Sequence, residues 1–171
     1  ISVKNHKKHK IELLKLIKAV PHVPSAPAEI EKISKSDWFL SSDYPRTYRN
    51  YFFDILKPWF KFMQDKYKAK AEIANYWFQQ YSNSNYHSWH LHPKCHFSSV
   101  YFIELPDKSL ATEFKNHKSI AVKEGDIITF PSHWVHRSPI NSSGKRKTVI
   151  AFNSNMNILL PEEFIGDLCT Q

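Results

Sequence analysis

Between Ala71 and Asn153 the chain breaks into short apolar runs separated by turn residues. Ile73 to Tyr81, Tyr86 to His92, Ser98 to Leu105, Leu110 to Phe114, Ser119 to Val122, Ile127 to Phe130 and Lys147 to Asn153 read as strands, rich in β-branched and aromatic residues. Ser82-Asn83-Ser84-Asn85, Pro93, Pro106-Asp107, Glu124-Gly125-Asp126 and Asn141 to Lys145 punctuate them. With only three glycines in the chain, its turns must rely on Asn, Ser, Asp and Pro. Seven or eight short strands behind a helical N-terminal third predict a mainly β barrel or sandwich with helices packed on one side.

The first third carries a different rhythm. Ile11 to Val20 reads as a short amphipathic helix, stopped by Pro21, Pro24 and Pro27. Ala28 to Ser34 is expected to add a helical turn or two, and Ser36 to Arg46 to form a loop anchored by Trp38 and Phe39. Tyr48 to Lys68 is the main helix: Phe52, Ile55, Leu56, Trp59, Phe60, Met63 and Tyr67 keep its 3.6-residue period. Pro58 predicts a kink or two abutting helices.

At 171 residues the chain is expected to form one domain: a helical support over 1–70, a β core over 71–155 and an extension over 156–171. No apolar run approaches the roughly 20 residues of a membrane span, and no secretory signal is read. Cys95 and Cys169 make no disulfide framework, so a reducing, cytoplasmic setting is expected. Much of the net charge of +8 comes from Lys4, Lys7, Lys8, Lys10, Lys15 and Lys18, opposed locally by Glu12 alone. A solvated basic end explains this better than nucleic-acid binding, because zinc-finger spacing, a Gly-rich phosphate loop and an RNA-recognition signature are all missing.

The chemistry concentrates in few residues. His90-Leu91-His92 places two imidazoles on one face of a strand. His136, 44 residues beyond His92, is far enough along for intervening strands to bring it back opposite the pair. Three imidazoles can hold a divalent metal and leave its other positions open. Arg146 and Thr148 share a face of the last strong strand, where a guanidinium and a hydroxyl suit a carboxylate. His133 competes with His136 but reads as a rim residue. A structural zinc site from His90, His92, Cys95 and His96 is the weaker reading, because zinc favours closed Cys/His sets and no second cysteine cluster exists.

The stretch from about Tyr76 to Asn153 resembles the 2-oxoglutarate/iron(II)-dependent oxygenase superfamily, close to prolyl-4-hydroxylase-like members and to small oxygenases of marine phages and bacteria. Tyr86-His87-Ser88-Trp89-His90-Leu91-His92, Ser99-Val100-Tyr101-Phe102-Ile103-Glu104, Gly125-Asp126-Ile127-Ile128-Thr129-Phe130-Pro131, His136 and Arg146-Lys147-Thr148 carry the likeness. It implies a double-stranded β-helix (jelly-roll) and Fe(II) held by His90, His92 and His136. It also implies 2-oxoglutarate as co-substrate, its distal carboxylate held by Arg146 and Thr148 with Tyr101 or Tyr81 assisting. Ascorbate is a candidate auxiliary reductant, and the expected reaction is hydroxylation of a C–H bond in a peptidyl, prolyl or small-molecule substrate. The superfamily usually has His-x-Asp or His-x-Glu where this chain has His-x-His. Glu104 or Glu113 is a candidate to complete the site, though neither has the right spacing. The competing reading is a cupin-like protein that binds a metal or small ligand without turnover. A guanidinium inside the barrel mouth would separate the two.

Overall fold

The computed structural model describes residues 1–21, 31–41 and 43–158. Helix α1 (His6–Ala19) buries Leu13 and Ile17. The expected helical turns around Ala28 to Ser34 are replaced, within the described part, by two short strands, β1 (Glu31–Lys32) and β2 (Lys35–Ser36). Pro24, Pro27 and Cys169 lie outside the described residues.

Helix α2 (Tyr48–Tyr67) buries Tyr48, Phe52, Ile55, Leu56, Trp59 and Met63 along one stripe. It runs unbroken through Pro58, so no second helix starts there. Pro58 and Asp54 both sit on the exposed face, where water can satisfy the Asp54 carbonyl that the ring leaves without a donor. Tyr67 is not core; it is largely exposed and rests its ring 4.9 Å from that of Phe97.

The remaining strands are β3 (Ala69–Tyr81), β4 (Tyr86–His90), β5 (Phe97–Glu104), β6 (Glu113–Phe114), β7 (Ile127–Pro131), β8 (His136–Ser138) and β9 (Lys147–Ile158). Residues 119–122 form no strand, and Lys108–Leu110 is a single 3-10 turn capped by the Asp107 side chain. The strands make two antiparallel sheets, ordered β2-β3-β9-β5-β7 and β1-β4-β8-β6. The turn before β7 needs Gly125: its φ is +92°, and a Cβ there would meet His6 Cγ at 2.7 Å.

The larger sheet is buried on both faces. Phe78, Tyr101, Ile103, Ile150 and Phe152 pack with α1 and α2 in one core. Tyr81, Val100, Phe102 and Val149 join Phe114, Ile128 and Phe130 in a second core between the sheets. Register makes this division. Gln79 pairs Val149, Gln80 pairs Thr148 and Tyr81 pairs Lys147, so alternate residues of β3 and β9 face opposite cores.

A buried ion network ties the 37–46 loop to this frame. The Asp37 carboxylate accepts hydrogen bonds from Tyr48 Oη at 2.6 Å and from the Phe78 amide at 2.9 Å, and lies 2.9 Å from Arg46 Nε. Asp37, and not Trp38 or Phe39, is therefore the anchor; those two rings stay about half exposed. Asp37→Ala would strand the Arg46 guanidinium in a site where its side chain is 5% exposed. We expect a loss of about 3–5 kcal/mol in urea denaturation. A loss below about 1 kcal/mol, the range of surface pairs, would contradict this role.

Candidate metal centre

Strand β4 and strand β8 run side by side with His90 opposite His136. A register irregularity between His87 and His90 brings both rings to the same side, stacked with centroids 3.9 Å apart. Strand β4 ends at His90, and the chain then turns so that the His92 amide donates to Ser132 O at 3.0 Å. His92 thus reaches the pair from just past the strand end. The three rings lie 4.3 Å (His90–His136), 5.1 Å (His90–His92) and 5.2 Å (His92–His136) apart. One nitrogen of each falls within 4.8 Å of the others, a spacing that one divalent cation can bridge.

The rings are neutral. Burial, reinforced by mutual repulsion among the imidazoles, pushes His87 and His92 down to about 3 and His136 to about 4. Burial lowers His90 as well, against a hydrogen bond to Ser88 O that favours its charged form. Each ring therefore keeps one unprotonated nitrogen at neutral pH, and neutral imidazole is the state a metal ligand requires.

These rings open onto a narrow cavity between the sheets that is partly open to solvent. Trp77, Gln79, Tyr81 and Asn153 line it, together with Arg137 and Lys147, and no Asp or Glu among the described residues does. Lys147 is the buried cation. Its Nζ donates to Leu110 O at 2.6 Å and Ser138 Oγ at 2.8 Å, and sits 5.1 Å from the Tyr81 ring centre. Burial pulls its pKa down to about 7. Two of its three N–H donors are engaged, which leaves one for a ligand.

The structure brings together His90, His92, His136 and Tyr81, and separates Arg146, Thr148 and Tyr101 from them. Arg146 lies on the outer side of the sheet, donating through Nε and Nη2 to the Glu104 carboxylate at 2.7 and 3.0 Å. Thr148 Oγ1 donates to the same carboxylate. The two do share a face, as expected, but it is the face away from the cavity. Strand β8, which carries His136, pairs β4 and β6 and not β9, so no register links His136 to Arg146. Tyr101 packs in the helix-side core, its hydroxyl 2.8 Å from His6 Nδ1. Glu104 is thus occupied, and Glu113 pairs with Arg137 Nε at 2.6 Å, so neither carboxylate joins the imidazoles. His133 is exposed. Cys95 Sγ faces the His92 carbonyl, and His96 Nδ1 accepts from the Met156 amide, so the zinc alternative does not assemble.

Lys147, His87 and Asn153 are cavity residues that the sequence reading passed over. Lys147 had no local signal: both Val149 and Ala151 on its parity and Ile150 and Phe152 on the other are apolar, so alternation does not say which face turns inward.

No family model matches the chain, and no curated protein matches it. Solved structures do. A viral collagen prolyl hydroxylase from Paramecium Bursaria Chlorella virus-1, a 2OG complex, aligns with a TM-score of 0.57 at 16% identity, covering 85% of this chain and 90% of that one. A 2OG-Fe(II) oxygenase family protein from Burkholderia pseudomallei gives 0.61 at 13% identity, over 88% and 79%. A prolyl-4-hydroxylase from Pseudomonas putida gives 0.56 at 9% identity, over 88% of each chain. The fold is the jelly-roll of these oxygenases. No helix among the described residues is long and apolar enough to cross a membrane.

The buried imidazoles make stability depend on pH in a definite direction. Unfolded, they take up protons near the ordinary imidazole value of 6.5; folded, His87, His92 and His136 refuse them until about 3 to 4. Between those limits the unfolded state binds more protons, so stability is fully present above 6.5 and falls as pH drops toward 4. Denaturation of the metal-free protein at pH 7 and 4.5 should show that fall. His87→Phe, which keeps the stacked ring, should reduce it; an unchanged slope would contradict the buried neutral state.

Proposed function

We propose that this protein is a 2-oxoglutarate- and Fe(II)-dependent dioxygenase that hydroxylates a C–H bond. The observation that carries the proposal is one cavity containing both a converging set of three imidazoles and a buried ammonium, in a fold shared with oxygenases. His90, His92 and His136 would hold the iron, a nitrogen donor set that Fe(II) accepts. Lys147 would take the distal carboxylate of 2-oxoglutarate, with the Tyr81 ring packed against it. When bound, iron and 2-oxoglutarate supply the oxidising chemistry, with succinate and CO2 as co-products.

The chain's own residues do the rest. His90 and His136 present fixed rings, each tied through Nδ1 to a backbone carbonyl. A carboxylate beside Lys147 would hold it protonated, repaying part of the burial that now lowers its pKa. Trp77 and Phe130 wall the site against water, strengthening every electrostatic contact inside. Peptidyl substrates, prolyl among them, and small molecules all remain compatible with this cavity.

The cupin-like binding alternative would be favoured by the position of Arg146, outside the mouth. Lys147 answers it by supplying a cation on the inner face of the same strand. Protein given Fe(II), 2-oxoglutarate, ascorbate and oxygen should release succinate above a His136→Ala control. Succinate no higher than that control, with candidate peptides present, would favour the binder.

The choice of anchor is separately testable. By anaerobic calorimetry on Fe(II)-loaded protein, Lys147→Met should weaken 2-oxoglutarate binding by on the order of 30-fold or more, the usual result of removing one partner of a buried charge pair. Arg146→Ala should leave it within about twofold, as expected of an exposed ion pair. The reverse order would restore Arg146 to the site.

A further inference from the structure

Three imidazoles hold one cation only if each shows it a bare ring nitrogen. Two of the three are preset. His90 Nδ1 lies 2.7 Å from Ser88 O, and His136 Nδ1 lies 2.8 Å from Trp134 O. A carbonyl only accepts, so in both rings Nδ1 carries the proton and Nε2 keeps its lone pair.

His92 is different. The partner of its Nδ1 is the side-chain amide of Asn153, 3.4 Å away. An amide can offer either an N–H or an oxygen. In the present arrangement Asn153 Nδ2 faces His92 and donates to Asn75 Oδ1 at 2.9 Å, while Asn153 Oδ1 accepts from Ser98 Oγ at 2.8 Å. Nδ1 of His92 is then the acceptor, its proton sits on Nε2, and Nε2 has no lone pair to give.

Rotating the Asn153 amide by half a turn reverses this. Its oxygen then accepts from Nδ1–H, and Nε2 of His92 becomes a donor to the metal. The surroundings accept both orientations. Ser98 Oγ can donate or accept, and Asn75, itself exposed, can turn its own amide to match. Asn153 and Ser98 are 4% and 3% exposed, so solvent does not substitute for these contacts.

We propose that Asn153 selects the tautomer of His92 and thereby makes it a conditional third ligand. His90 and His136 are donors in either state; His92 joins them only when the Asn153 oxygen faces it. Asn153 is thus a positioning residue. The inference rests on the reading of the triad as a cation site, and not on turnover.

Cobalt(II) titrations of the full chain test it, with affinity read by calorimetry and ligation by the visible spectrum. Asn153→Leu should weaken binding about tenfold or more, as loss of an outer partner commonly does, and give the spectrum of His92→Ala. Asn153→Asp, whose carboxylate can only accept, should bind at least as tightly as the parent. In the His92→Ala background, Asn153→Leu should cause no further loss, because its effect passes through that ring. Additive losses, a parent-like Asn153→Leu, or an Asn153→Asp as weak as Asn153→Leu would each overturn the proposal. The aspartate arm decides the matter even if Asn153→Leu fails to fold. A parent chain that binds no cobalt would instead overturn the cation site itself, and this proposal with it.

Discussion

The pairing of β3 with β9 decides what the cavity contains. Both strands are long, and their register sets Tyr81 against Lys147, Gln79 against Val149, Trp77 against Ala151 and Asn75 against Asn153. Each of these pairs except Asn75 contributes both members to the cavity lining. A slip of one residue in β9 would turn the Lys147 ammonium toward the helix-side core of Phe52 and Phe78 and turn Ile150 and Phe152 toward the imidazoles. The helices forbid that slip. They cover only the face that shows Ile150 and Phe152, so the hydrophobic effect on one side of the sheet fixes the chemistry on the other.

The opposite wall is built more economically. Strands β4 and β8 are short, and their main product is the juxtaposition of His90 with His136. Packing four imidazoles together costs little only while they are uncharged, and burial keeps them so. Phe130 and Phe114 back the His136 ring at 4.8 and 6.5 Å, and Trp77 lies against His92 at 5.7 Å. Ring orientation is thus set by packing as much as by hydrogen bonds, which is the preorganisation a metal site needs.

Much of this was legible in the sequence. The switch from a 3.6-residue to a two-residue rhythm near Ala71 marks the end of α2, and the strongest strands fall where alternation and turn residues put them. His90 and His92 were legible through their spacing, and His136 through its place after the Gly125 turn and Pro131. The basic residue that lines the cavity was not. Arg146, Lys147 and Thr148 are adjacent, and parity alone separates them; nothing local says which parity faces inward. Arginine was the chemically better carboxylate ligand, yet it stays exposed and pairs with the partly buried Glu104 across the sheet. Tyr101 was misplaced for the same reason: it sits one step out of phase with Val100, which lines the cavity. Strand β1 and the loop anchored by Asp37 have no periodic signal of their own and depend on tertiary contacts.

The third imidazole changes the charge in the cavity, and the neighbouring residues bear on how that change is absorbed. A carboxylate ligand would bring a negative charge that imidazole does not. With three neutral donors, a divalent cation would enter a largely buried space with its charge intact, and a dianionic keto-acid would cancel it. Lys147 then adds a positive charge, and burial that makes its ammonium costly now would make a carboxylate partner correspondingly favourable. Arg137 does not add to the excess, because Glu113 neutralises it at the rim, where its guanidinium also stacks 4.5 Å from the Trp89 ring centre. Among the described residues, the fully buried cation of the cavity lining is therefore a lysine rather than an arginine. Lysine can give up its charge when the cavity holds no anion; arginine cannot. A site without acidic ligands would gain from that freedom, since it would not hold a bare charge when no anion is bound.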